Sequence, residues 1–282
     1  RAISIQHGVS WDIPFNLLPT KGPLRALSCR STAAAKARKA FQSSWQIRRA
    51  HFVRTLVCVD YNFPNWLRAS SGQTPPPNLI VVPNCVFPQH ASAVVDQSCT
   101  LPPPDSPTPI IFARSFEQSR APRLMADVAE RVLSSGRDFA ITFAGDGSDL
   151  PYLQARFRDH AHVRIVTYAP RYSVEFHQQF HIAVVPSVAS EGTTLSMLEA
   201  MAAGCTVVAT PIGGVTNVII DDWNGVLVEA ESAQITSAIV SLAIDPRRRA
   251  TLAQRAQAMT IEGPFSYNKW RLRWRNVIES LA

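Results

Sequence analysis

Two carboxylates stand eight positions apart in the run Ser190-Glu191-Gly192-Thr193-Thr194-Leu195-Ser196-Met197-Leu198-Glu199-Ala200-Met201-Ala202-Ala203-Gly204. The second lies in a segment that is apolar almost all round, and a helix apolar on every side is a buried one. Three and four positions from Glu199 are Leu195, Ser196, Ala202 and Ala203, so no Lys or Arg of that helix pairs with it. An unpartnered buried carboxylate is costly. Glu199 therefore needs a partner from outside, an Arg on another element or the hydroxyls of a bound diol, or else the segment is more exposed than its composition suggests. A hydrolytic acid pair is a third chemistry. Eight helical residues rise about 12 Å, whereas glycosidase carboxyls stand roughly 5–9.5 Å apart. The longer separation suits the two ends of an extended nucleotide-sugar.

The flanking segments supply a frame for these acids. Phe180 to Ser187 is a short apolar run that reads as a buried parallel strand. Gly204 stops the helix, Cys205 to Thr210 reads as a second β-branched strand, and Pro211-Ile212-Gly213-Gly214 makes a loop. Strand, helix and strand form a βαβ unit. Ligands bind such units at the carboxyl ends of the strands, beside helix N-termini whose N–H groups favour an anion such as a diphosphate. Glu191, Gly192, Thr193 and Thr194 fall at that edge.

Five segments follow one another in order: Phe143-Ala144-Gly145-Asp146-Gly147, Val185-Pro186-Ser187, Glu191 to Gly204, Pro211-Ile212-Gly213-Gly214, and Asn224-Gly225-Val226-Leu227-Val228. Together they resemble the donor half of retaining GT-B glycosyltransferases of family 4, strongly over residues 110 to 230. The resemblance implies an α/β fold of two Rossmann-like parallel-sheet domains, of which the first is incomplete here. It implies transfer of a hexose, with retention, from a UDP- or GDP-sugar to a glycan, lipid or small-molecule acceptor. A non-catalytic nucleotide-sugar-binding protein of the same fold is the alternative. The nucleotide-sugar is a substrate, so no cofactor is expected. No Asp-x-Asp metal signature stands where a metal-dependent transferase needs one.

The resemblance also assigns roles. Arg114, just after a strand, and Arg120 match the cations that hold the diphosphate, with Arg123 as a competitor for the second place. Glu191 matches the carboxylate near the donor hexose, and Glu199 the one that binds the ribose hydroxyls. Gly192, Thr193, Thr194 and Leu195 supply backbone N–H groups. Gly145 and Asp146 form a loop that either touches the ligand or makes a plain turn. Tyr168 either stacks on the nucleobase or joins the core. His7, beside Gly8 on a loop after a strand, resembles the family histidine near the reacting carbon. Three positions depart from the family pattern: Ala121 and Cys85 replace Gly, and Asn217 replaces a Glu after the Gly-Gly loop. A position favouring φ > 0 would strain a Cys, so the turn at Cys85 is expected to differ.

Along the chain, residues 1–88 read as the later part of an acceptor-side domain. Its strands lie near 3–6, 56–59 and 79–82, and a basic helix near 32–53. Residues 89–109 are Pro-rich and read as a linker. Residues 110–264 form the donor domain, with strands at 110–113, 139–144, 163–167, 182–185, 205–209 and 225–228. Helices are expected at 120–134, 149–158, 172–179, 193–203, 215–220 and 231–243. Residues 265–282 resemble the terminal helix that crosses back to the first domain. The chain opens on Arg1 and is read as an N-terminally truncated piece of a longer protein.

The 282 residues are 46% hydrophobic and 17% charged, a globular composition with room for two domains. Five widely spaced cysteines with no Cys-x2-Cys pair argue for reduced thiols, a cytoplasmic setting and no zinc site. No apolar run approaches the roughly 20 residues that span a bilayer. Net charge is +7, much of it between Arg30 and Arg54 around Phe41 and Trp45. That segment is either a solvated face over an aromatic seam or a helix in peripheral contact with an anionic membrane, at its inner face. No nucleic-acid motif accompanies the charge.

Overall fold

The computed structural model describes residues 3–6, 54–71, 77–87, 107–189 and 191–281. Its β-branched runs form two parallel sheets. The smaller joins β1 (Ile3–Gln6), β2 (Thr55–Cys58) and β3 (Leu79–Val81) in that order. The larger contains β4 (Thr108–Ala113), β5 (Phe139–Ala144), β6 (Val163–Val166), β7 (Ile182–Val185), β8 (Thr206–Ala209) and β9 (Val226–Leu227), in the order β6-β5-β4-β7-β8-β9. This is a doubly wound α/β sheet whose strand order reverses between β4 and β7. A crevice opens at such a reversal, because connections leave the two neighbouring strands toward opposite faces.

Both faces of the larger sheet are covered, and its strands accordingly read as continuous apolar runs. Along β4, Ile110 and Phe112 join one core cluster, while Ile111 and Ala113 join the other. The first cluster takes Met125 and Val128 of α2 (Pro122–Leu133), Leu153 of α3 (Leu150–Arg156) and Ile239 of α6 (Ser232–Ile244). The second takes Val174 of α4 (Ser173–His177), Met197 and Met201 of α5 (Leu195–Ala202) and Ala256 of α7 (Pro246–Ile261).

On the smaller sheet, α1 (Asn62–Ser71) packs Phe63 and Leu67 against Leu56 and Cys58. The terminal helix α8 (Tyr267–Glu279) packs Val277 against Val57 and Val82, with Trp270 and Trp274 alongside. Phe87 meets Trp270 edge-on at 5.3 Å between centroids. The last helix of the chain therefore rests on the first sheet.

The elements differ in places from those expected. Strand β4 starts at Thr108, so Pro109 lies within it, near the strand start where a missing N–H costs little. Its carbonyl accepts the His181 N–H at 3.0 Å. The short helix near 215–220 is a 3₁₀ turn over Gly213–Asn217. Helices α1 and α7 are additional to those expected. The second carries its own signal: Asp245 Oδ1 accepts the Arg248 N–H at 2.9 Å, and Pro246 occupies the first turn. The expected helix near 32–53, His7 and residues 88–106 lie outside the described residues.

Cys85 is buried and does not have positive φ. The turn there is thus not of the left-handed kind that would require Gly. Ala121 is different. Its φ of 56° and ψ of 49° are left-handed, and it caps α2 directly after Arg120. That conformation costs an L-residue with a Cβ about 1–2 kcal/mol. Ala121→Gly should stabilise the fold by about 1 kcal/mol after the added freedom of the unfolded chain is subtracted. Thermal unfolding checks this; a lower Tm in the variant would refute it.

Two histidines make the fold sensitive to acid. His177 is buried, with Nδ1 2.7 Å from the Ser173 carbonyl oxygen. Burial pushes its pKa down from 6.5 to about 4, against the backbone hydrogen bond. Burial, with help from Arg249, also takes His181 to about 4. Between pH 6.5 and 4 the unfolded imidazoles bind protons that the folded ones do not. Stability should therefore fall as pH drops through that window and level off below it. For His177 the full effect is on the order of 3 kcal/mol. Denaturant unfolding at pH 7, 5.5 and 4.5 should show the parent losing more than His177→Gln; parallel losses would exclude the assignment.

Candidate functional site

The carboxyl ends of β4, β5 and β6, the loop after β7 and the start of α5 surround one cleft of about 720 Å³. Arg114 follows β4, Gly145 and Asp146 follow β5, and Thr167 and Tyr168 follow β6. Glu191, Gly192, Thr193 and Thr194 come from the loop before α5, and Leu195, Ser196 and Glu199 from the helix itself. Val59 and Asn84 close the cleft from the smaller sheet. Every candidate among the described residues lines this one space. His7 lies outside the described residues.

One end of the cleft is an ion cluster. Arg114 is 8% exposed and Glu191 3%. The Arg114 guanidinium donates to Glu191 Oε1 from Nη2 and to Ser196 Oγ at 3.2 Å from Nη1. Arg120 Nη1 stands 2.7 Å from the same carboxylate oxygen. The hydroxyl of Ser187 also donates to Oε1, and that of Thr194 to Oε2 at 2.8 Å. One carboxylate thus collects two guanidiniums and two hydroxyls. Burial pushes the Arg114 guanidinium below its ordinary range and the Glu191 charge pulls it back. Arg123 takes no part: its Nε and Nη2 lie 3.0 and 2.7 Å from Asp149 Oδ1.

Two glycines permit this crowding. A Cβ at Gly145 would stand 2.0 Å from the Arg114 carbonyl oxygen. Gly213 has φ of +55°, and a Cβ there would stand 2.2 Å from the Glu191 carbonyl oxygen. The same carbonyl accepts the Gly214 N–H at 2.9 Å. The Gly-Gly loop is in this way a backing plate for the Glu191 loop.

The same cleft holds Glu199, Ser173 and Tyr168. Ser173 Oγ donates to Glu199 Oε2 at 2.5 Å and is one partner from outside helix α5. Tyr168 stacks one ring face on Phe176, with centroids 4.6 Å apart, and packs against the core while also lining the cleft. Burial raises its pKa.

The smaller sheet reaches the cleft through hydrogen bonds. Thr193 Oγ1 donates to the Val59 carbonyl, and Asn84 Nδ2 donates to the Thr193 carbonyl at 2.6 Å. Asn217 Oδ1 accepts the Tyr61 N–H at 2.8 Å. Sequence reasoning had singled out Asn217 only as a departure from Glu and had given no role to Ser173, Ser196 or Val59. A single Ser after a Pro-containing turn carries no signal of its own.

Among the described residues, no group of three or more His, Cys, Asp or Glu is placed to hold a metal ion, and no helix is long and apolar enough to cross a membrane. The donor set of the cleft is guanidinium, hydroxyl and backbone amide around the carboxylates of Asp146, Glu191 and Glu199. It suits an elongated anionic ligand with a hydroxylated end.

Comparison with known proteins agrees. A family model described as glycosyl transferases group 1 matches residues 107–245. A curated relative from Acidothermus cellulolyticus, named D-inositol 3-phosphate glycosyltransferase, is 27% identical over 185 residues, 61% of this chain and 39% of its own length. This chain thus spans about two fifths of the length of that relative. Among solved structures, a TarM mutant of S. aureus, determined with fondaparinux, alpha-GlcNAc-glycerol and UDP, superposes with a TM-score of 0.66 at 21% identity. The match covers 84% of this chain and 46% of that one. HepE of Anabaena, determined with UDP, gives 0.68 at 15% identity over 99% and 72%. These likenesses show the fold. Residues 107–245, which carry the β4–β9 sheet and the switch-point cleft, match the group 1 glycosyltransferases, and the chain has the GT-B fold.

Proposed function

We propose that this protein moves a hexose from a nucleoside diphosphate sugar to a hydroxyl acceptor, with retention and without a metal. The observation that carries the reading is the polarity of the cleft. Paired guanidiniums gather on Glu191, and the same cleft holds a second carboxylate, Glu199, with a hydroxyl donor. A nucleoside diphosphate carries the matching groups: a diphosphate and a ribose diol. The relatives named for glycosyl transfer and the fold neighbours determined with UDP support it.

Chemically, breaking the glycosidic bond places charge on the leaving diphosphate. Preorganised cations and backbone N–H groups stabilise such charge best in a water-poor site. Arg114 and Arg120 would pass from Glu191 to the diphosphate as the donor enters, releasing Glu191 toward the sugar hydroxyls. The leaving phosphate oxygen would accept the acceptor proton on the same face. By this reading the acceptor is a glycan, lipid or small molecule, and the base is uridine or guanine. A basic or aromatic surface in contact with an anionic membrane belongs to the same proposal, as does action at the inner face in the cytoplasm. A binding protein without turnover is the second reading, favoured by Asn217, which removes a charge common at this place in the family.

Titration calorimetry with UDP-, GDP- and ADP-sugars tests binding, and the anomeric configuration of any product tests retention. Arg114→Ala should weaken nucleoside diphosphate binding by about 10- to 100-fold and leave the free nucleoside unchanged. Equal diphosphate affinity in the parent and the variant would end the assignment of Arg114. Glu191→Gln should act in the opposite sense. It removes the carboxylate that competes for both guanidiniums, so the diphosphate should bind several-fold tighter while sugar transfer is lost. Weaker diphosphate binding in Glu191→Gln would show that Glu191 organises the anion site rather than competing for it.

A further inference from the structure

Resting on the membrane contact included in the proposed function, we infer that the outward face of α8 is the surface on which an anionic bilayer docks. Helix α8 spans Tyr267–Glu279 and has two unlike faces. Trp270, Trp274 and Val277 stand three and four positions apart and pack onto Val57 and Val82 of the smaller sheet. The outward face centres on Arg275, whose helical neighbours three and four positions away are Arg271, Leu272, Ile278 and Glu279. Leu272 is 50% exposed and Ile278 60%. Lys269, Arg271 and Arg275 are exposed as well. Among the described residues, no acid pairs with any of these three cations, Glu279 included. Helix α1 packs on the opposite face of the same sheet, against Leu56 and Cys58.

Charge and apolar surface together select the occupant. Arg271 and Arg275 face each other at i,i+4 spacing, where like charges repel. A layer of lipid phosphates relieves that repulsion and matches an excess of three exposed cations over one acid. Leu272 and Ile278 flank the same arginine and gain from burial only where an apolar phase meets them. The acyl boundary beneath the phosphates supplies that phase, while arginine stems reach back up to the headgroups. A soluble polyanion would satisfy the cations and leave both aliphatic side chains in water. The helix is about 20 Å long, and no described helix is long and apolar enough to cross a membrane, so α8 lies along the surface. It is also held in place before docking. Trp270 meets Phe87 at 5.3 Å and Trp274 at 6.1 Å between centroids, and Arg273 Nη1 donates to the Pro264 carbonyl at 2.6 Å. A preformed surface loses little conformational freedom on binding.

The test is co-sedimentation of the full chain with vesicles of phosphatidylcholine, alone or with about one-third phosphatidylglycerol. The parent is compared with Arg271→Gln/Arg275→Gln, with Leu272→Ser/Ile278→Ser and with a control, Arg131→Gln/Arg158→Gln. Arg131 and Arg158 are exposed on the side of the larger sheet, so the control removes the same charge from elsewhere. All six positions are at the surface, and equal unfolding midpoints check that each variant is folded. The parent should bind the anionic vesicles about tenfold or more tightly than the neutral ones and lose that preference in about 0.5 M salt. Each α8 pair should weaken anionic binding about fivefold or more, and the control by less than about twofold. A parent indifferent to anionic lipid would overturn the membrane contact and this inference with it, and leave nucleotide binding and sugar transfer to their own tests. A parent that binds while both α8 pairs bind equally well would remove α8 alone. Dependence on Arg271 and Arg275 without dependence on Leu272 and Ile278 would point to an acidic macromolecule and overturn the bilayer. A control as weak as the α8 charge pair would reduce the effect to net charge and overturn the inference too.

Discussion

A guanidinium buried at the end of a parallel strand cannot stand without a counter-charge, and the geometry of this cleft follows from that constraint at Arg114. Desolvation of an ion costs several kcal/mol unless a partner and further hydrogen bonds compensate. Glu191 supplies the partner, and Ser187 and Thr194 supply hydroxyls to the same carboxylate. Bringing Glu191 there demands a tight loop between β7 and α5. That loop in turn needs close backbone support, which Gly213 and Gly214 give because a side chain at either would collide with it. The Gly-Gly loop, the Ser after β7 and the Thr before α5 are therefore consequences of one buried cation. A structural pair would end there. Here Arg120, one-quarter exposed, joins the same carboxylate oxygen from the open side of the cleft. Two guanidiniums thus meet on one carboxylate oxygen inside the cleft.

The same loop ties the two sheets together. Thr193 stands between Glu191 and α5, and it donates to the Val59 carbonyl while its own carbonyl accepts from Asn84. Both partners follow strands of the smaller sheet. A displacement of that sheet would pull on Thr193 and be felt two residues away at Glu191. The packing of Val277, Trp270 and Trp274 of α8 against Val57 and Val82 acts as a second tie. The chain ends where its first sheet lies, so relative motion of the sheets strains α8 as well as the cleft.

Much of this was legible in the sequence. Six β-branched runs at regular spacing define the larger sheet, and the side chains that line its cleft fall at strand ends, where position alone suggests ligand contact. Both acids line the same cleft. Their partners were not legible, since each comes from a distant segment: Arg114 is 77 positions from Glu191, and Ser173 is 26 from Glu199. Periodicity reports which face of an element is buried, not what meets it there. Helix α1 escaped notice because Asn62-Phe63-Pro64 resembles a turn; its Pro lies in the first turn, where a helix tolerates it. Helix α7 escaped notice because Arg247, Arg248 and Arg249 mask its apolar side. Asp245-Pro246 marks its start for a reader who gives that pair weight.

Asn217 shows how a departure from pattern can be reconciled with a working cleft. Its Oδ1 accepts the Tyr61 N–H, so the residue joins the turn of the Gly-Gly loop to the chain just before α1. A Glu at this place would accept the same bond and bring a full negative charge to the turn that supports Glu191. The amide retains the bond and omits the charge. The Arg114–Glu191–Arg120 cluster then has one carboxylate fewer on the loop that supports it. The substitution keeps the contact between the sheets and shifts the local charge balance toward cations.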